Sequence, residues 1–252
     1  MPDVWAILGS VVTASASIFR VALPRLVRGL WYWNSVEDRL LQHVRRTAVQ
    51  GDPASVLAAM DEFVSWEWMM SIEPAKRTNL EALLPAKLGT GPKVCLELGT
   101  YCGYSAIVFG RLLPAGSQLI TVEKNDQTAL IARQIIKMSG LENVTVHTAD
   151  SADLITNLRD QCSVETLDFV FIDHMKSLYL RDLKLLEGSS VLRPGTLVVA
   201  DNTLWPGAPD YLEYVERGSG GKYLTERAYF SMDTFNVQDA MAISVYTGSN
   251  DD

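Results

Sequence analysis

At 252 residues the chain is long enough for one α/β domain of roughly 200 to 250 residues with a short appendage. Its 48% hydrophobic and 21% charged residues argue against extended disorder. A formal net charge of −8 sets most of the surface against a phosphate backbone, so nucleic acid is not expected as a substrate.

The chain begins with an apolar stretch. Sixteen residues from Val4 to Phe19 carry no charge, and Val21 to Leu23 extend the run past Arg20. A bilayer core takes about 17 to 25 helical residues, so the stretch is borderline for spanning, and Ser10, Thr13, Ser15 and Ser17 weaken it further. Ala14, Ser15 and Ala16 resemble a signal cleavage site, but Asp3 stands where a positive n-region belongs. The reading is a membrane anchor or interfacial helix in residues 1–34, followed by a folded domain in 35–252. A soluble cytoplasmic N-terminal helix is the alternative. Arg20, Arg25 and Arg28 follow the apolar run and place the domain on the cytoplasmic side. Together with Arg39, Arg45 and Arg46, against only Glu37 and Asp38, they also form a stretch suited to anionic headgroups.

From residue 35 the pattern is helical. Residues 35–48 carry an apolar stripe (Val36, Leu40, Leu41, Val44), and Asp52 opens a second helix at a Gly-Asp-Pro boundary. Residues 54–70 and 76–84 also read as helices, expected to cover one face of the following sheet. After Lys93, short β-rich runs (94–98, 119–123, 144–148, 167–173 and 197–201) alternate with amphipathic helices (105–113, 126–139, 151–159 and 178–186). This is the signature of βαβ units and a parallel sheet. Residues 240–246 alternate and are expected to add an antiparallel strand.

In such a sheet, ligands bind beyond the carboxyl ends of the strands. Four expected strand ends carry polar residues there: Glu97-Leu98-Gly99, Glu123, Asp173-His174 and Asp201-Asn202. Gly99 and Gly103 let a ligand approach the backbone at a helix N-terminus, although the third glycine of a dinucleotide fingerprint is missing. Glu123, 24 positions after Gly99, suits a ribose hydroxyl, which fits a nicotinamide or an adenosylmethionine cofactor equally. Asp173, Asp201 and Asn202, on two adjacent strands, offer hard oxygen ligands for Mg2+, and a hydride-transfer enzyme has no need of them. Three cysteines (Cys95, Cys102, Cys162) contain no CxxC pair and three histidines (His43, His147, His174) are too scattered for zinc, so a reduced compartment is the simplest reading. Cys102 lies in the glycine turn with no second His or Asn placed to make it a nucleophile.

These segments resemble the catechol O-methyltransferase family over residues 52–248. The likeness is carried by residues 96–105, Asp173-His174-Met175-Lys176, Asp201-Asn202, Pro206-Gly207-Ala208-Pro209-Asp210, and Glu67-Trp68-Met69-Met70 with Lys76 shortly after. The resemblance implies a Rossmann-like class I methyltransferase fold: a mostly parallel seven-stranded sheet with a terminal antiparallel strand and helices on both faces. It also implies S-adenosylmethionine and Mg2+ as cofactors and methyl transfer to one hydroxyl of a chelated catechol, a small-molecule substrate. By the resemblance, Asp173, Asp201 and Asn202 hold the metal and Lys176 is the base. Met70, Ile72, Glu97, Gly99, Tyr101, Gly103 and Ser105 surround the methionine part of the cofactor, Glu123 holds the ribose, and Ser151, Asp173, His174 and Met175 border the adenine side. Trp68, Lys176, Asn202, Pro206 and Asp233 face the substrate. A membrane-bound form is also known in the family.

The chain departs from the family at several of these positions. Met175 replaces a usual Trp, Ser71 a usual Asn, Glu73-Pro74 a Gly-Asp pair, and Asp233 a Glu. The softer Met side chain defines shape less sharply, which opens the preferred substrate. Methylation of another vicinal diol or phenol, and a membrane-associated binding or chaperone protein using the same fold, are the alternatives.

Overall fold

A computed structural model of the chain describes residues 35–232 and 236–248. The expected membrane segment in residues 1–34 and the candidate substrate residue Asp233 lie outside the described residues. Among the described residues, no helix is long and apolar enough to cross a membrane.

Among the described residues, three helices precede the first strand: α1 (Val36–Thr47), α2 (Pro53–Trp66) and α3 (Pro74–Leu88). Each starts where its sequence signals a start. The Ser35 hydroxyl accepts from the Asp38 N–H, and the Asp52 carboxylate accepts from the N–H groups of Ala54 and Ser55 with Pro53 at the first helical position. The expected helix over 54–70 stops at Trp66, because Glu67 turns extended and its carboxylate is drawn 3.2 Å from Arg39 of α1.

The rest of the chain alternates as expected. It runs β1 (Val94–Leu98), α4 (Tyr104–Leu112), β2 (Gln118–Glu123), α5 (Asp126–Ser139), β3 (Val144–Thr148), α6 (Ser151–Thr156), α7 (Leu158–Cys162), β4 (Leu167–Ile172), α8 (Tyr179–Gly188), β5 (Leu192–Ala200), α9 (Pro209–Glu213), β6 (Tyr223–Met232) and β7 (Val237–Tyr246). The helix expected over 151–159 divides at Asn157, whose side-chain amide donates to the Asp153 carbonyl and competes with the helical ladder.

The seven strands form one sheet in the order β3-β2-β1-β4-β5-β7-β6. Only β7 runs against the others: β1 to β5 pair in parallel, and β7 pairs antiparallel with both β5 and β6. β6 has no counterpart among the expected strands. It is an edge strand whose adjacent charged residues, Glu226 and Arg227, interrupt its periodicity.

Alternate residues of each strand feed two cores. Cys95, Leu119, Phe169, Phe171, Leu197 and Val199 face the side occupied by α1 to α5, where Phe109 packs edge-on against both phenylalanines. Leu96, Leu98, Ile120, Val122, Val170, Ile172, Val198 and Ala200 face α6 to α9. Each fully buried large side chain contributes about 1.5 to 3 kcal/mol. The expectation for the first three helices is refined: they pack chiefly on α4 and α5 and join the sheet through that layer.

Strand order reverses between β1 and β4, and there the ladder continues one residue past the strands. Gly99 N–H donates to Val122, Asp173 N–H to Leu98, and Asp201 N–H to Ile172. Gly99, Asp173 and Asp201 therefore emerge side by side at the switch point.

Candidate active site

The loop from β1 into α4 is shaped by close backbone contact. Gly99 has φ +103, and a Cβ there would sit 2.3 Å from the Asp173 carbonyl oxygen, so only glycine lets β1 and β4 end this close. Gly103, φ +88, caps α4 in the left-handed region and presents the helix N-terminus to the same space.

Glu97 and Glu123 flank this loop. Glu123 accepts from the N–H of Tyr101 at 3.0 Å and of Asn125 at 2.8 Å, which ties the glycine loop to the end of β2. Glu97 is fully buried; one oxygen accepts from the Thr121 hydroxyl, and Oε1 has no hydrogen-bond partner among the described residues. Burial pushes its carboxyl up to about 8; the Ser105 and Thr121 hydroxyls oppose the shift, and the charges of Asp173 and Glu123 add to it. An orphaned buried carboxylate oxygen is stabilised by a cationic partner, so this residue fits an ammonium group such as the one on the methionine end of S-adenosylmethionine. Ser105 and Ile72 are buried as well, while Met70 is exposed. The Tyr101 hydroxyl reaches α1 and donates to Glu37 at 2.7 Å.

Ser151 and His174 are brought together by a residue that the sequence reading did not single out. Asp182 of α8 is fully buried and accepts from His174 Nε2 at 2.7 Å, from the Ser151 hydroxyl, and from Arg181. Burial alone would raise its carboxyl, but the bonds from His174, Arg181 and Ser151 hold it below the usual range. His174 Nδ1 is then left buried without a partner among the described residues. Met175, next in sequence, is 66% exposed and forms part of the rim rather than the floor.

Asp173, Lys176, Asp201 and Asn202 converge at the ends of β4 and β5. Lys176 Nζ donates to Asp173 Oδ1 at 2.8 Å and lies 3.3 Å from Asn202 Oδ1 and 3.4 Å from the Asp201 carbonyl oxygen. It also donates to the buried hydroxyl of Tyr179, which itself donates to the Asp201 carbonyl at 3.1 Å. Asp201 is buried, and burial followed by the charge of Asp173 raises its carboxyl above the usual range. Its Oδ1 is engaged by Lys76 Nζ and by the Asn202 N–H, both at 2.7 Å. Among the described residues no three His, Cys, Asp or Glu side chains are grouped to hold a metal. Here the set is two carboxylates completed by an amide oxygen, which is the donor chemistry a hard divalent cation takes.

Trp68 is half-buried and Pro206 exposed. Tyr179, Asp182 and Asp239 were missed. Tyr179 follows Lys176 by one helical turn. Asp239 is the only acid in the otherwise apolar run Ala240 to Val245 and its approach, and that oddity was the available signal. Cys102 is buried, and burial raises its thiol, so the structure gives it no nucleophilic character.

The O-methyltransferase family pattern matches residues 39–215. A catechol O-methyltransferase of Bos taurus is 42% identical over 226 residues, covering 88% of this chain and 80% of the relative. A transmembrane O-methyltransferase homolog of Mus musculus is 37% identical over 235 residues, covering 92% and 89%. The fold is shared with an O-methyltransferase from Bacillus cereus solved in complex with SAH, at a TM-score of 0.64 and 21% identity, covering 90% of this chain and 98% of that one. The chain thus belongs to the O-methyltransferase family, as one of its S-adenosylmethionine-dependent, catechol O-methyltransferase-like members.

Proposed function

We propose that the chain transfers the methyl group of S-adenosylmethionine to one hydroxyl of a catechol, with Lys176 as the general base and Mg2+ held by Asp173, Asp201 and Asn202. The observation that carries this reading is the reach of one Lys176 nitrogen to oxygens of both Asp173 and Asn202, which sets a base directly against the metal donors. Bound there, a divalent cation supplies positive charge that makes a neighbouring hydroxyl more acidic. Lys176 in its neutral form takes the hydroxyl proton, and the Tyr179 hydroxyl and Asp173 fix where its nitrogen stands. Glu97 and Glu123 would hold the methionine and ribose parts of the cofactor, which would supply an electrophilic methyl group to the ionised oxygen. Methyl transfer would form the O–C bond as the S–C bond breaks with its electron pair left on sulfur, so the chain would need to supply no separate acid.

Purified full-length chain, labelled S-adenosylmethionine, Mg2+ and a panel of catechols and monophenols test the proposal. Methyl transfer to catechols, lost in excess EDTA, is the expected result. Full turnover in EDTA overturns the metal assignment, and equal transfer to monophenols overturns the catechol assignment.

A membrane setting is the second part of the proposal, supported by the uncharged stretch from Val4 to Phe19 and by relatives named transmembrane O-methyltransferase in Mus musculus and Homo sapiens. The anchor leaves the catalytic domain facing the cytoplasm. Deleting residues 1–34 is expected to release the protein from carbonate-washed membranes with turnover on soluble catechols nearly unchanged. A full-length chain recovered wholly in the soluble fraction overturns the anchor.

A further inference from the structure

We infer that Asp239 is a positioning residue that sets which end of the Asn202 amide faces the metal donors. The inference rests on the reading of Asp173, Asp201 and Asn202 as a divalent-cation site. Asp239 lies on β7, is fully buried, and has every acceptor position engaged. Its Oδ2 accepts from Lys76 Nζ at 2.7 Å and from Asn202 Nδ2 at 2.8 Å. Its Oδ1 accepts from the backbone N–H of Trp205 at 2.9 Å and of Leu204 at 3.2 Å.

An ionised carboxylate only accepts, so it selects the NH2 end of the asparagine and turns Oδ1 the other way, toward Lys176 and Asp173. That choice matters because a cation binds the amide oxygen and is repelled by the amide NH2. Nothing in the local backbone makes the choice instead. Asn202 sits at φ 53, ψ 39, a conformation compatible with either amide orientation. Lys76 locks Asp239 in turn: its ammonium is fully buried and its three donors go to Asp239, to Asp201 Oδ1 at 2.7 Å and to Glu73 at 3.2 Å. One buried cation thus spans a metal donor and the residue that orients another.

The test exploits the asymmetry of the amide. Asp239→Asn can keep its oxygen on the Leu204 and Trp205 N–H groups and then points an NH2 at Asn202, which must flip to offer its own oxygen there. Mn2+ binding, read by electron paramagnetic resonance on the full-length chain saturated with S-adenosylmethionine, is expected to weaken at least about tenfold. Adding Asn202→Asp gives the double variant the same net charge as the wild type and an oxygen at both ends of residue 202. Mn2+ affinity is expected to return to within about threefold of wild type, with S-adenosylmethionine affinity unchanged throughout. An undiminished Mn2+ affinity in Asp239→Asn, or a double variant no better than the single one, overturns the inference. A wild-type chain that binds no Mn2+ removes the metal reading itself, which separates the two failures. Should the variants not fold, the Asn202 side-chain amide of the unaltered protein still reports: selective 15N labelling is expected to show slowly exchanging amide protons, and exchange at the rate of a free amide overturns the orientation.

Discussion

His174 and Ser151 meet on one oxygen of Asp182: Nε2 of the ring and the serine hydroxyl both donate to Oδ2. The two residues follow different strands, so this carboxylate is what holds them together. Asp182→Asn keeps the volume and one acceptor but loses the charge that takes three donors. We expect S-adenosylhomocysteine to bind about tenfold more weakly by calorimetry, because hydrogen bonds to charged groups are worth about 1.5 to 3 kcal/mol and only part of that is lost. Turnover at saturating cofactor should change less than about threefold. An unchanged affinity removes Asp182 from cofactor recognition.

Glu97 supports a pH prediction whose sign follows from its raised carboxyl. Its folded-state value near 8 lies above the ordinary 4.5, so the ligand-free folded chain holds a proton there that the unfolded chain has lost. Stability of the ligand-free protein therefore falls as pH rises from about 4.5 to about 8, the reverse of a salt-bridged carboxylate. Cofactor binding runs the other way, since an ammonium pairs with the ionised form. Affinity for S-adenosylhomocysteine is expected to rise between pH 6.5 and 8.5. Glu97→Gln should flatten that dependence, weaken binding about 10- to 100-fold, and raise the melting temperature of the ligand-free protein at pH 8.5. A pH profile in Glu97→Gln as steep as in wild type contradicts the assignment.

What could be read in the sequence, and what could not, divides along the range of the interactions. Glu97, Glu123, Asp173 and Asp201 were legible because each is a polar residue closing an apolar strand, a pattern visible within six residues. Asp182 was not, because its meaning depends on Ser151, 31 positions earlier, and Asp239 depends on Lys76, 163 positions earlier. β6 was hidden for a related reason: its place in the sheet depends on the backbone ladder to β7, with Glu226 and Arg227 interrupting its apolar residues. Lys76 was quoted with the family motif but had no role, since a lysine near a helix start ordinarily reads as solvated.

Gly99→Ala tests the close approach of β1 and β4. The added Cβ meets the Asp173 carbonyl oxygen at 2.3 Å and its carbonyl carbon at 2.8 Å, both backbone atoms, and the φ of +103 is strained for any side chain. The least disruptive relief moves Asp173 away from Lys176. Expected are a melting temperature lower by several degrees and a loss of turnover larger than the loss of cofactor affinity. Wild-type stability would show that the loop relaxes without disturbing β4.

Lys176→Ala and Asp173→Ala separate the proposed base from the proposed metal donors. In Lys176→Ala, Asn202 keeps its side-chain bond to Asp239 and Asp173 its main-chain bond to Leu98, so S-adenosylmethionine and Mn2+ should still bind, while turnover falls by about 10²- to 10⁴-fold, the usual range for loss of a general base. Raising the pH should restore part of that rate, because more of the catechol ionises without help. Asp173→Ala removes the proposed metal donor and a hydrogen-bond partner of Lys176 together, so Mn2+ binding and turnover should fall in parallel with no recovery at high pH. Steady-state kinetics from pH 7 to 9 beside Mn2+ titrations distinguish the two variants. Near-normal turnover of Lys176→Ala at neutral pH would leave hydroxyl ionisation to the metal site alone and strip Lys176 of its role as base.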